Sequence, residues 1–365
     1  MRTPLQRRKK NQQYRLDVTT LGEITMRRVT RWIGYTIMAS LCVLPVTAVG
    51  QQTSATNNSH PAPRPHRARR PDKPFKLIAL TPEFWKVFDK NAKLETMATG
   101  FGFTEGPVWD PSGFLWVSDE VKNQIDKVYP DGRIEPMVSL VDPDGSTYNK
   151  DSRLLSTASG LRAIILLSKD GKSFKIVVNR YQGRKLNTPN DIVIGPDGAI
   201  YFTDPTIDMT PVQMKDEENP PSVYRLGPDN QLALLTTELK APNGLAFSPN
   251  GKFFYADDDK TKSLWRWKFK DGKISDGVMW VNMNGPHGVP DGMKVDKKGH
   301  LYITGPDGIW VVNKKGVHIG TVQMPHGMAN MTWGGPHYSK LYITAANTVY
   351  FLQTKMRGAL GYLKK

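Results

Sequence analysis

Six short stretches of this 365-residue chain each open with a side chain that offers an oxygen donor. They read EGPVWDPSGFLWVSD from Glu105, DGSTYNKDSRLLSTA from Asp144, NDIVIGPDGAIYFTD from Asn190, NGLAFSPNGKFFYAD from Asn243, DGMKVDKKGHLYITG from Asp291 and NMTWGGPHYSKLYIT from Asn330. The opening residue stands eight positions before a Gly or Ser turn in five copies and nine in the last. Asn-Gly and Asp-Gly pairs are ordinary turn formers. Glu105 is a poor turn residue, however, and Asn190 is followed by Asp, so six oxygen donors in phase point beyond turns. Carboxylates and amide carbonyls that converge repel one another and lose hydration unless a positive charge sits between them. An all-oxygen set without Cys or His suits Ca²⁺ better than Zn²⁺.

The elements that would bring these residues together are short strands. The turn residues Gly113, Ser152, Gly198, Gly251, Gly299 and Ser339 are separated by 39, 46, 53, 48 and 40 positions, the period of a four-stranded propeller blade. Second hairpins such as YPDGRIEPMV and SKDGKSFKIVV supply outer strands, and no useful amphipathic helix interrupts them. The expected fold class is all-β, one six-bladed β-propeller spanning residues 75–365. Each donor would then start an innermost strand at one end of the central channel. The segment from Phe75 to Leu80 and the TVYFLQT run are the candidates for closing the ring. A sandwich of hairpins is the competing architecture, but it has no reason to repeat with this period.

The net charge of +16 does not imply a nucleic-acid partner, because it is carried mostly by the N-terminal region. Residues 1–50 hold nine basic and two acidic side chains, residues 51–74 five and one, and the remainder is only +5. From Met26, an alternative start, a basic stretch leads into IGYTIMASLCVLPVTAVG, with Ala48 and Gly50 placed for a cut before Gln51. Residues 1–50 are therefore expected to be a signal peptide, the protein to be secreted or periplasmic, and no stable membrane span to remain after cleavage. An uncleaved anchor is the alternative. Residues 51–74 read as a basic, Pro-rich, solvated linker. The single cysteine, Cys42, lies in the apolar run and excludes a disulfide framework or a multi-cysteine zinc site.

From Phe101 to Leu352 the chain resembles the SMP-30/gluconolactonase/luciferin-regenerating-enzyme family of calcium-dependent six-bladed propeller hydrolases. The segments that carry the resemblance are TEGPVW (Thr104 to Trp109), RYQGRKLNTPNDIVIGPDGAIYFTDP (Arg180 to Pro205), PNGLAFSPNGKFFYADD (Pro242 to Asp258), VPDGMKVD (Val289 to Asp296) and WGG (Trp333 to Gly335). The resemblance implies metal ligation by Glu105, Asn190, Asn243 and Asp291, with Asp291 as general base. Two positions depart from the family. Ser156-Thr157-Ala158 replaces a Glu-His pair common in bacterial members, and Thr188 stands where animal members place a substrate-binding arginine.

The expected reaction is metal-dependent hydrolysis of a small-molecule lactone, a sugar aldonolactone above all, to the free acid, with a Ca²⁺-bound water activated by Asp291. Asp144 and Asn330 complete the ring and would orient a ligand or water. Asn187, His287 and His326 are candidates for substrate contact or acid catalysis, and Arg184-Lys185 could reach the substrate. The alternatives are an organophosphorus or aryl-ester hydrolase on the same site, and a non-catalytic secreted binding module. A GxSxG elbow, an HExxH pair, a P-loop and an EF-hand loop are all absent from the sequence.

Overall fold

Alternating apolar positions in the short strands give each one a face to bury on either side of a twisted sheet, and six such sheets pack around an axis. The computed structural model describes residues 73–210, 213 and 219–361. The expected signal peptide and all but the last two residues of the expected linker lie outside them. Those two are docked on the folded part: Lys73 Nζ meets Asp307 Oδ1 at 2.7 Å, and Gln323 Nε2 donates to the Pro74 carbonyl at 2.7 Å.

Blade one runs outward through Thr104–Asp110, Phe114–Asp119, Gln124–Val128 and Ile134–Ser139. Blades two, three and four repeat the meander from inner strands Pro143–Tyr148, Ile192–Ile194 and Pro242–Phe247. Blade five starts at Met293–Val295 and carries a fifth, edge strand, Lys76–Ala79, paired with His318–Gln323. Blade six takes three strands from the C-terminal end, Met328–Gly334, Lys340–Ala345 and Thr348–Gln353, and its outermost strand, Leu94–Thr99, from the N-terminal side. The ring is therefore closed by the TVYFLQ run with Leu94–Thr99, whereas the segment from Phe75 to Leu80 only extends blade five. Leu94–Thr99 closes the ring because Met97 and Ala98 bury themselves beside Trp109, Leu115, Tyr342 and Val349, between blades six and one.

Six apolar clusters fill the spaces between successive blades, each fed by two neighbouring sheets. Each large side chain that is fully buried there contributes roughly 1.5–3 kcal/mol. The cluster between blades five and six also takes in the four-residue helix Phe84–Val87, which caps it with Phe84 and Val87. Trp333 lies at its centre, fully buried and edge-on to Tyr302 at 5.0 Å, and a Cβ added to Gly358 would meet its ring at 2.1 Å. Trp333→Ala is expected to cost about 3–5 kcal/mol, read from the urea midpoint at unchanged m-value. A loss below about 1 kcal/mol would show that this interface collapses around the gap.

Candidate active site

An antiparallel meander returns every second strand to the end where its inner strand began, so the six donors share one mouth with the loops that follow the second strands. Glu105, Asp144, Asn190, Asn243 and Asn330 are all buried, with exposures of 2–6%, while Asp291 is half-buried. Neighbours in the ring approach closely: Asn190 Nδ2 donates to Asp144 Oδ2 at 2.7 Å, and the Asn330 amide lies close enough to Glu105 to favour its ionised form. Close approach of the inner strands requires glycine after several donors. A Cβ on Gly106, whose φ is +50°, would meet the Asp144 carbonyl at 2.0 Å, and one on Gly244 would meet the Asp291 carbonyl at 2.1 Å.

A layer of hydroxyls behind the donors does the positioning, and sequence reasoning missed it. Ser118 Oγ donates to the Asp144 carbonyl (2.7 Å) and Thr157 Oγ1 to the Asn190 carbonyl (2.6 Å). Thr203 Oγ1 accepts from the Asp191 N–H, Thr304 Oγ1 donates to the Ala329 carbonyl, and Thr344 Oγ1 accepts from the Asn330 N–H, each at 3.0 Å. These residues follow their blade's donor by thirteen positions, or fourteen in blade six, a regularity present in the sequence. Blade four breaks it, with Ala256 thirteen positions on and Asp257 in the hydroxyl's place at fourteen. One carboxylate oxygen of Asp257 accepts from the Gly244 N–H at 3.1 Å, and the other is buried without a hydrogen-bond partner. The next residue is an Asp in three blades. Asp119 accepts the N–H groups of Gly102, Phe103 and Lys122, Asp204 that of Asn187, and Asp258 those of Lys240, Ala241, Lys260 and Thr261, which ties the mouth loops down.

The remaining sequence candidates are placed differently. Asn187 is fully buried, and its Nδ2 donates to the carbonyls of Asp204 and Asn219, bracing the loop before Asn190. Thr188 Oγ1 donates to the Pro205 carbonyl, and Ser156 bonds Ser146, so both departures from the family pattern are turned into the fold. His287 is exposed on the loop before Asp291, and His326 is half-buried with its ring 6.2 Å from Tyr350. Arg184 and Lys185 are exposed on a two-stranded hairpin formed with Arg180–Tyr181.

The electrostatics describe a mouth short of positive charge. Burial, then the Glu120 carboxylate, pushes Glu105 up to about 8. Burial raises Asp144 well above the usual carboxylate range, helped by Glu105, Glu120, Asp208 and Asp291, and raises Asp257 likewise, helped by Asp291, Asp259 and Asp191. Glu120 and Asp208 were not singled out in the sequence, because nothing in a loop acid's spacing shows that it faces a channel, and Asp191 stood out only as a non-glycine after Asn190. Among the described residues no three His, Cys, Asp or Glu side chains form a metal cluster of their own. The candidate set mixes two carboxylates with two asparagines, and its all-oxygen chemistry and mutual repulsion fit a hard cation.

These shifts carry a pH dependence. Burial also holds Asp204 up at about 8. Unfolded carboxyls ionise near 4, so between about pH 4 and 8 the unfolded chain has given up protons that folded Glu105 and Asp204 retain. Without divalent ions the protein is expected to be most stable near the acid end of that window and to lose stability as pH rises through it. Melting temperatures in chelator from pH 4.5 to 8.5 check this, and a rising trend would contradict it.

A family profile described as SMP-30/Gluconolactonase/LRE-like region matches residues 103–347, which hold all six donors. A gluconolactonase of Zymomonas mobilis is 30% identical over 311 residues, 78% of this chain and 87% of that protein. Pentonolactonase XacC of Haloferax volcanii is 25% identical over 253 residues, 66% of this chain and 81% of its own length. The solved structure of a gluconolactonase from Xanthomonas campestris superposes with a TM-score of 0.71 at 28% identity, covering 79% of this chain and all of that one. With the blade order, the ring of donors and the profile in agreement, the chain belongs to the SMP-30/gluconolactonase/LRE-like family.

Proposed function

We propose that this protein hydrolyses small-molecule lactones, sugar aldonolactones first among them, to the free acids. The observation that carries the reading is the ring of buried oxygen donors at the channel mouth of a chain 30% identical to a gluconolactonase over most of its length. Glu105, Asn190, Asn243 and Asp291 are the residues that would hold a calcium ion, which when bound supplies Lewis-acid polarisation of the lactone carbonyl and acidifies a water. Asp291 is the most accessible of the six donors and so the carboxylate a water can reach. It acts as the base, taking the water proton as the water oxygen attacks the carbonyl carbon. The ring C–O bond then breaks and the departing alkoxide takes that proton from Asp291, leaving the open hydroxy acid. Asp144 holds the Asn190 amide in orientation, and the Asn330 amide beside Glu105 favours its ionised form. The carboxylate product carries the same sign as the mouth, which favours its release. The basic and apolar pattern of residues 26–50 supports action outside the cytoplasm.

The test is a panel assayed with added Ca²⁺: D-glucono-1,5-lactone, a pentonolactone, an unsubstituted δ-lactone and an aryl phosphotriester. Hydrolysis of the hydroxylated lactones well above the plain δ-lactone is the expected result. Turnover of the phosphotriester alone would replace this reading with the ester-hydrolase one, and no turnover at all would favour a binding module.

A further inference from the structure

Two charged residues break the inner-strand repeat, and they meet. Four of the six donors are followed by glycine, but Asn190 is followed by Asp191 in blade three. Lys294, in blade five, is the only Lys or Arg in any of the six inner strands among the described residues. The Lys294 ammonium lies 3.9 Å from Asp191 Oδ2 and donates to Asn330 Oδ1 at 2.9 Å. Asp191 is 97% buried by side chain, and this oxygen has no hydrogen-bond partner, so the Lys294 ammonium serves as its counter-charge. Lys294 is itself only 23% exposed. Asn330 is also the donor-ring residue whose amide favours the ionised form of Glu105, so Lys294 holds in place a direct neighbour of a proposed metal ligand.

We propose that Lys294 is a tethered internal cation of the donor ring, a positioning residue that neutralises Asp191 and fixes the Asn330 amide against Glu105. A buried carboxylate left alone beside the ring would cost folding energy and add a negative charge to the cation site. The ammonium removes both effects and keeps the ring assembled before any divalent ion arrives, at the expense of affinity for that ion. The proposal rests on the cation-site reading, but melting without divalent ions depends on neither metal binding nor lactone turnover, so the two can fail separately.

The experiment compares the full chain with Lys294→Met and with the double variant Lys294→Met/Asp191→Asn. Melting is followed in chelator, and Ca²⁺ affinity is measured by calorimetry. Lys294→Met is expected to melt lower in chelator and to bind Ca²⁺ at least about tenfold more tightly, because one uncompensated negative charge remains near the ion. The double variant is expected to recover most of the melting loss and to return toward wild-type affinity. Unchanged melting and affinity in Lys294→Met overturns the proposal. So does lower melting with unchanged affinity, which would make Lys294 merely structural, and so does a double variant less stable than the single. If Lys294→Met does not fold, a folded double variant supports the pairing and an unfolded one overturns it.

Discussion

Asp291→Asn is expected to leave the propeller folded and to lower kcat for lactone hydrolysis by about 10³-fold, within the range a general base contributes. The fold should survive because the strand at Asp291 is positioned by its backbone. The Asp291 N–H faces the Thr304 carbonyl at 3.3 Å, its own carbonyl packs against Gly244, and Thr304 Oγ1 bonds the adjoining carbonyls of Gly292 and Ala329. Asparagine keeps the shape and an oxygen donor while losing the base. The substitution also removes a negative charge that raises Asp144 and Asp257, so Ca²⁺ affinity should fall as well. Turnover therefore has to be compared at Ca²⁺ concentrations that saturate each protein, with circular dichroism confirming the fold. Retention of more than about a fifth of wild-type kcat under those conditions is too much activity for a lost general base. The proton acceptor would then be another acid of the mouth, with Glu120 and Asp208 the first to replace.

The donors were legible in the sequence because a propeller repeats, and a residue at constant phase in six repeats is placed by geometry before any loop is known. The same logic would have exposed Ser118, Thr157, Thr203, Thr304 and Thr344, which keep phase thirteen or fourteen positions on. They were passed over because a strand hydroxyl offers no chemistry when seen singly. Of the two closing candidates, the TVYFLQ run takes part in closure and the Phe75 to Leu80 segment does not, for a related reason. Lys76–Ala79 looks more strand-like than Leu94–Thr99, yet closure is decided by which segment can bury Met97 and Ala98 against blade one. The contact between Lys294 and Asp191 joins residues about a hundred positions apart across the ring, and neither has a repeat partner to flag it. What the sequence withheld was whatever depends on two loops, or two exceptions, facing the same space.

Chelation of divalent ions is expected to abolish lactone turnover and to lower the melting temperature, with Ca²⁺ add-back restoring both. An ion that binds only the folded state stabilises it by about 2.7 kcal/mol at one hundred times its dissociation constant, about 5 °C for a domain of this size. The carboxyls that ion would meet are held above their usual range by burial and mutual repulsion. At low pH the ion must displace a proton from Glu105 and meets a neutral Asp144 beside Asn190, and at high pH it meets ionised groups. The melting difference between Ca²⁺ and chelator is therefore expected to widen as pH rises from about 5 toward 8, opposite in sign to the decline expected for the metal-free protein. A site at which Ca²⁺ binds elsewhere on the surface would show a difference nearly flat over that window, since exposed carboxylates are already ionised at pH 5. Glu105→Gln distinguishes the two: at the ring it should remove most of the Ca²⁺-dependent rise in melting temperature, whereas for a surface site it should leave that rise intact.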